Sequence, residues 1–338
     1  MFRYIVRRIL YSIPVLLALA FAVFALMRAI PGGPFDFAGD KSLPAAVVQN
    51  LERKYHLDDP FFKQFARYLV GDFVDTLRVQ DLGRNGLLRG DLGMAFRQRG
   101  RTVNQIVGES FPVSAQLGVM AVLLALCLGI PLGIIAALRQ NTWLDYSSTF
   151  LAILGVSIPA LVMGPILQWI FALELNWLPV ATWGALPPFF LGFIPKPTVS
   201  FWTHAILPTV ALGSAASASI ARLTRASLLQ VIREDYIRTA RAKGLREWAV
   251  VVRHALKNSL IPVVTVVGPL FAAVVTGTFV IEQIFGIPGM GRHFVQSIGN
   301  RDYGIIQGVT LVYAVLLVTM NLLVDIAYAW LDPRIRYQ

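Results

Sequence analysis

Charge is scarce in this sequence. Of its 338 residues, 14% are Asp, Glu, Lys or Arg and 56% are hydrophobic, whereas soluble domains carry roughly a quarter charged residues. That shortage excludes a water-soluble globule and leaves a membrane protein. Cysteine is nearly absent. Cys127 stands alone inside an apolar run, so no intrachain disulfide can form, and its thiol is expected as a small buried hydrophobe. No glycine-rich loop is followed by the Lys-Ser/Thr of a phosphate cradle, so the chain cannot be its own nucleotide-driven motor. Charges are missing from the middle of the long apolar runs, and clear inverted repeats are missing too. Both absences count against an ion-coupled carrier.

Six windows free of Asp, Glu, Lys and Arg approach or exceed the roughly 20 residues a spanning helix needs. They are Ile9–Met27, Ser110–Leu138, Tyr146–Leu173, Pro197–Ala221, Asn258–Ile281 and Tyr303–Val324. Prolines within them (Pro14, Pro131, Pro159, Pro165, Pro208) are tolerable in a membrane bundle, where neighbours re-satisfy the freed backbone. Small residues such as Gly213 to Ala218 let helices approach closely. The first window lacks a small-residue cleavage site and is expected as a retained span.

Basic residues orient the chain. Arg3, Arg7 and Arg8 precede the first span, and Arg334 and Arg336 lie in the tail. Arg222 to Lys257 carries nine basic residues against three acids. With six spans these regions share one side, which the positive-inside rule makes cytoplasmic. The net charge of +11 is thereby explained without nucleic acid. Asp36 to Glu109, with eleven basic and ten acidic residues, is nearly neutral, as a translocated segment can be. The expected fold is an all-α integral membrane protein with six transmembrane helices and both termini in the cytoplasm. It divides into a tail and first span (1–30), an extracytoplasmic loop region (31–109) and a core of five spans (110–338). That core contains a cytoplasmic loop at 222–257.

The first span ends in a Pro/Gly break, Arg28 to Pro34. In Asp59 to Phe73, Phe61, Phe62, Phe65, Tyr68, Leu69 and Phe73 recur at helical spacing. This segment is expected to fold onto its own loop or the headgroup region; a lip for an external partner is the alternative. Arg84, Arg89, Arg97, Arg99 and Arg101 follow in a solvated loop. Arg139 to Asp145 is a tight turn. Trp177 and Trp183 are expected as interfacial anchors. Glu282 to Asp302 reads as a tight external loop built around Phe285 to Gly291.

Between the fourth and fifth windows lies the most basic stretch, Arg233 to Pro262. Asp235 is a candidate N-cap and Gly244 a candidate C′ residue. The helix between them barely makes two turns, too short to persist alone in water, so it needs something to pack on. Tyr236, Ala240 and Gly244 share a slim face. Gly244 supplies either a positive φ or room for a partner.

This stretch resembles the cytoplasmic loop of permease subunits of ATP-binding cassette importers, in the dipeptide/oligopeptide and nickel class. The general form of that loop is Glu-Ala-Ala, three residues, Gly, nine residues, Ile-x-Leu-Pro. Ala240, Gly244 and Leu256 match it; Arg238, Thr239, His254 and Lys257 depart from it. Asp235 to Leu245 looks like the peptide-class variant. The same family is resembled, in order, at Gly90-Asp-Leu-Gly93, Gly129-Ile-Pro-Leu-Gly133, Trp177-Leu-Pro179, Ala221-Arg-Leu-Thr-Arg225, Pro288-Gly-Met-Gly291, Arg301-Asp-Tyr303 and Leu331-Asp-Pro-Arg334. The stretch around Val74 to Leu88 is longer than in many relatives.

The resemblance implies a multi-pass inner (plasma) membrane protein that is a transporter subunit and not itself an enzyme. A second related permease would complete the pore, and two ATPase subunits and an extracytoplasmic binding protein would be its partners, with membrane lipid around it. It implies an ATPase-coupling helix made of Asp235, Tyr236, Arg238, Thr239, Ala240, Arg241, Ala242, Lys243, Gly244 and Leu245. No cofactor, metal or catalytic residue is implied. Peptides are the expected cargo, with nickel chelates and sugars left open. Two readings compete. An ion-coupled carrier would work without ATPases. An intramembrane serine protease would need Ser and His on facing spans, but Ser214 and His204 share one window. His254 and His293 fall in loops. Asp325, with Asn321 one turn away, lies near the inner end of the sixth window, where a structural hydrogen bond is expected.

Overall fold

The computed structural model describes residues 2–30, 32–35, 44–71, 86–98, 100–185 and 187–331. Pro31, Phe73, Arg84, Arg99, the stretch from Val74 to Asn85, and Asp332 to the basic tail lie outside the described residues. Among those described, every regular element is a helix, beside two isolated β-bridges. Helix α1 spans Phe2–Ala29, α2 Ala45–Lys54, α3 Phe61–Val70 and α4 Val103–Leu138. Helix α5 covers Trp143–Ser157, and α6 covers Ala160–Leu167, continuing as a π-helix over Gln168–Glu174. After α7 (Val199–Val231) come α8 (Asp235–Ala242) and α9 (Glu247–Ala249). A π-turn, Val250–Ala255, then leads to α10 (Leu256–Ser259), α11 (Ile261–Ile284), α12 (Met290–Asn300) and α13 (Tyr303–Leu331).

Among the described residues, four helical stretches, Ile5–Ala29, Val103–Leu138, Val199–Val231 and Tyr303–Ile326, are long and apolar enough to cross a membrane; counting each of two bent pairs as one span gives six. The third apolar window is not a straight rod. It breaks between α5 and α6 with a 103° bend. Pro159 drives Ile158 out of the helical region to φ −96°, ψ 113°, because the pyrrolidine ring clashes with a helical predecessor. The second bend, 48°, falls at Leu260 between Glu247–Ser259 and Ile261–Val275. Two expected loops are also more helical than the sequence suggested. Helix α7 runs ten residues past Ala221, and Glu282 still belongs to α11, with α12 following.

The chain forms two compact units. One takes in Phe2–Phe111 and Arg292–Val315. Its aromatic helix α3 folds onto α1: Phe21 and Phe24 meet Phe61 and Phe65 edge-on, with centroids 5.1–5.9 Å apart. Asp302 caps α13 through the Ile305 N–H and accepts the Phe96 and Arg97 N–H groups at 3.1 and 2.9 Å. The Tyr303 hydroxyl donates to the Gly32 carbonyl at 3.1 Å. The Arg301-Asp-Tyr303 motif is thus an architectural clamp.

The other unit takes in Pro112–Gly291 and the chain from Leu316. Leu117, Ala121 and Ala125 of α4 pack with Ala205, Ala211, Ala216 and Ile220 of α7 and with Val263, Val274 and Ile281 of α11. Alanine and glycine at these contacts bring backbones together. A Cβ on Gly129 would lie 2.6 Å from the Ser217 carbonyl oxygen, and one on Gly133 would lie 2.5 Å from that of Ala221. Two glycines four residues apart on α4 therefore face two carbonyls four residues apart on α7, as in close-packed membrane helix pairs. Trp183, expected at the interface, is instead buried against Phe201 and donates to Gln116 at 2.8 Å. Cys127, expected to be buried, lies exposed on α4.

Gly133→Ala is expected to destabilise the protein by about 1–3 kcal/mol through overpacking. Gly108→Ala on the same helix meets nothing within 4 Å and should be neutral or stabilising by about 0.5–1 kcal/mol. Thermal unfolding in detergent compares the two.

Candidate functional site: a short helix between α7 and α11

Helix α8 begins at its expected cap residue, so the cap itself falls one residue earlier. Glu234 is the N-cap, in extended conformation and without a side-chain cap bond, and Asp235 is the first helical residue. Its carboxylate sits in the first turn, where it favours the positive end of the dipole. The C-terminus matches the sequence expectation. Gly244 has φ +74°, the Gly244 N–H donates to the Arg241 carbonyl at 2.9 Å, and the Leu245 N–H reaches that of Ala240 at 3.4 Å. This pair of bonds is a Schellman motif, whose C′ position favours glycine. A Cβ at Gly244 would meet no atom within 4 Å, so within the chain the requirement is one of backbone conformation.

Of the expected face, Tyr236 and Gly244 do not hold the helix. Ile237, fully buried, and Ala240 do so instead. They enter a cluster with Ala137 of α4, Leu228 of α7, and Val250 and Ala255 of the π-turn. Ile237 was absent from the expected site; its signal was an apolar side chain one turn before Ala240 in a polar helix. Tyr236 stays largely exposed, its hydroxyl accepting the Asn258 amide at 2.8 Å. Asp235, Arg238, Thr239, Arg241, Ala242, Lys243, Gly244 and Leu245 are all exposed. Arg238 sits 3.4 Å from Asp235 on the surface. Arg241 forks onto Glu247 at 2.6 and 3.1 Å, and that bond raises its pKa further above the usual arginine value. Exposed Trp248 stands beside this pair and was not singled out from the sequence. An open cleft of about 570 Å³ is lined by Leu229, Gln230, Arg233, Glu234 and Asp235.

A second fastening joins α5 to α7. Asp145, buried, accepts both the Nε and an Nη of Arg225 at 2.7 Å and the Asn141 N–H at 3.0 Å. The sequence marks Arg225 as one cation among nine and leaves its partner unnamed. Mechanically, α8 is a short polar helix with one buried face bolted to α4, α7 and the π-turn. Its opposite face is open.

The chain matches the family described as "Binding-protein-dependent transport system inner membrane component" over residues 129–337. A second match, "Binding-prot-dependent transport system membrane comp, N-term", covers residues 1–118. The chain belongs to this family. It is 43% identical to the oligopeptide transport system permease protein OppB of Escherichia coli (strain K12), over all of both chains. It is 42% identical to the dipeptide transport system permease protein DppB of Bacillus subtilis (strain 168), covering 99% of this chain and 98% of that one. Among solved structures, its fold is similar to that of a chain in the MetNI methionine ABC transporter in an inward-facing conformation. That match has TM-score 0.55 and 14% identity, and it covers 68% of this chain and 97% of the other. As a member of this family of inner membrane components, the chain is a permease subunit and not itself an enzyme.

The family's short motifs have visible physical jobs. In Pro288-Gly-Met-Gly291, the Met290 N–H donates to Ser114 Oγ at 2.8 Å, and that hydroxyl donates to buried Glu282 at 2.6 Å. A Cβ on Gly289 would lie 2.3 Å from the Glu282 carboxyl carbon. In Gly90-Asp-Leu-Gly93, both glycines have positive φ, and Asp91 accepts the Gly93 N–H at 2.9 Å. The facing Ser and His of the protease reading are not found at this pair: Ser214 and His204 lie on the same helix. Among the described residues no group of three His, Cys, Asp or Glu side chains could hold a metal.

Arg225→Met is expected to cost about 3–5 kcal/mol by stranding the buried Asp145 carboxylate, and the double variant with Asp145→Leu should recover most of it. A double-mutant cycle on thermal unfolding measures this. At Gly244, Asn should be tolerated and Ala should cost about 1–2 kcal/mol through φ alone. Comparing folded yield and melting temperature of the two variants tests that ranking.

Proposed function

We propose that this chain is one of two membrane-spanning permease subunits of an ATP-driven importer of peptides. Six spans are inferred by counting each bent helix pair as one. Both termini and the 222–257 stretch are assigned to the cytoplasm by their basic residues, and 31–109 to the outer side. Two ATPase subunits would serve the pair of permeases, one of them docking against the open face of α8 and its closing turn, from Asp235 to Leu245. A related second permease would complete the pore, and an extracytoplasmic binding protein would deliver cargo. ATP-driven closure of the ATPases would push on α8 and tilt α4, α7 and α11, switching access between the two sides.

The observation that carries this reading is the two-faced build of α8. Ile237 and Ala240 anchor it to three elements, while among the described residues its charged side chains form only the local Arg238–Asp235 and Arg241–Glu247 ion pairs. Peptide cargo is supported by the names of full-length relatives at 42–43% identity. Family membership favours a partnered permease over an ion-coupled carrier.

The test is purification from native membranes. Wild type should bring down ATPase subunits and a second permease, and peptide should stimulate ATP hydrolysis. Gly244→Trp, which adds bulk to the open face, should release the ATPases or uncouple hydrolysis from transport. Transport by the chain alone without ATP would overturn the reading.

A further inference from the structure

The unit formed by Phe2–Phe111 and Arg292–Val315 carries a partly open cavity of about 60 Å³, lined by none of the α8 residues. Its lining includes Phe24, Arg28, Tyr68, Asp91 and Gln307. At roughly 10–15 Å³ per water-sized position, it has space for about four to six, enough for the heavy atoms of acetate. We propose that this cavity is a binding site for a small carboxylate, held by the Arg28 guanidinium and the Gln307 side-chain amide.

Two independent observations point there. Arg28 closes the last turn of α1 with its guanidinium 3.4 Å above the Phe24 ring. Its Nε donates to Gln64 Oε1 at 2.6 Å and its Nη1 reaches the Phe24 carbonyl at 3.5 Å. No acid among the described residues pairs with it. The neighbouring Arg67, by contrast, is matched by Asp59. Gln307 on α13 is 7% exposed, and its Nε2 has no hydrogen-bond partner. A buried orphan donor is costly, and native structures seldom keep one without a ligand or water. An uncompensated cation beside an unused donor calls for one negative charge carried on an acceptor. A carboxylate offers two coplanar oxygens, one edge for the guanidinium fork and a lone pair for the amide.

Tyr68 adds a third donor. Burial, against the pull of Arg28, pushes its phenol up to about 12, so the hydroxyl stays protonated. Asp91 is the lining group of the wrong sign. It is half-buried and accepts the Gly93 N–H at 2.9 Å, and its removal should tighten the site. The proposal stands on this unit alone and does not rest on the transport reading.

The test titrates acetate onto the full chain in nanodiscs, with any subunits that accompany it, against sodium chloride at equal ionic strength. Saturation transfer to the acetate methyl reads binding. Saturable binding is expected in wild type, weakened at least tenfold by Arg28→Gln and by Gln307→Leu and tightened by Asp91→Asn. Gln307→Leu removes no charge and keeps an apolar helix position, so it carries the test if Arg28→Gln does not fold. Absence of saturable binding, binding unchanged by Gln307→Leu, or its loss in Asp91→Asn would overturn the proposal. A tripeptide that competes where its C-terminal amide does not identifies a peptide terminus as the source. Acetate binding with no competition by either identifies a free carboxylate.

Discussion

Backbone-to-backbone contact between α4 and α7 is the constraint on which the core unit depends. In lipid, apolar side chains gain nothing by leaving one apolar surroundings for another, so helices associate through close packing and polar contacts. Gly129 and Gly133 place α4 against the Ser217 and Ala221 carbonyls without room for a methyl group. That contact holds the C-terminal ends of α4 and α7 together, and Ala137 and Leu228 lie just beyond it. Those two residues form the floor on which Ile237 and Ala240 rest. The position of the short helix is therefore inherited from a glycine contact on another element.

Polar groups then fasten the ends of elements that packing alone would leave loose. The Asp145–Arg225 pair ties the start of α5 to the last turns of α7. Arg241–Glu247 closes the turn around Gly244, and Asp302 gathers two backbone N–H groups while capping α13. A buried ion pair is weak evidence of added stability, since desolvation offsets its attraction; it fixes which ends meet. These polar fastenings join short segments to long ones.

Family membership and the build of α8 address different questions. The relatives say what kind of protein this is; the geometry says how an outside push could enter it. A two-turn helix is not stable alone. Bolted through one apolar face and stopped by a Schellman turn, it becomes a rigid handle. Its charged residues remain outside the buried cluster, free to be read by another surface.

Much was legible in one dimension. Composition and the apolar windows determined a helical membrane protein, because a chain in lipid must satisfy its backbone within each segment. Gly244 was legible because a helix stop of this kind needs a positive φ that glycine adopts readily. The bend at Pro159 was written in the sequence, yet its 103° size depends on what each half packs against. Ile237 was overlooked because a single isoleucine in a basic helix has no period to announce it, and its burial is set by Ala137, a hundred residues away. Trp183 shows the same limit: an aromatic near a span end fits an interface or a core equally well until Gln116 and Phe201 are beside it. The pairing of Asp145 with Arg225, and the placing of Arg28 and Gln307 around one cavity, were decided by tertiary structure alone. Charge and hydrogen-bonding capacity belong to residue types, but the choice of partner belongs to the packing that brings distant segments within reach.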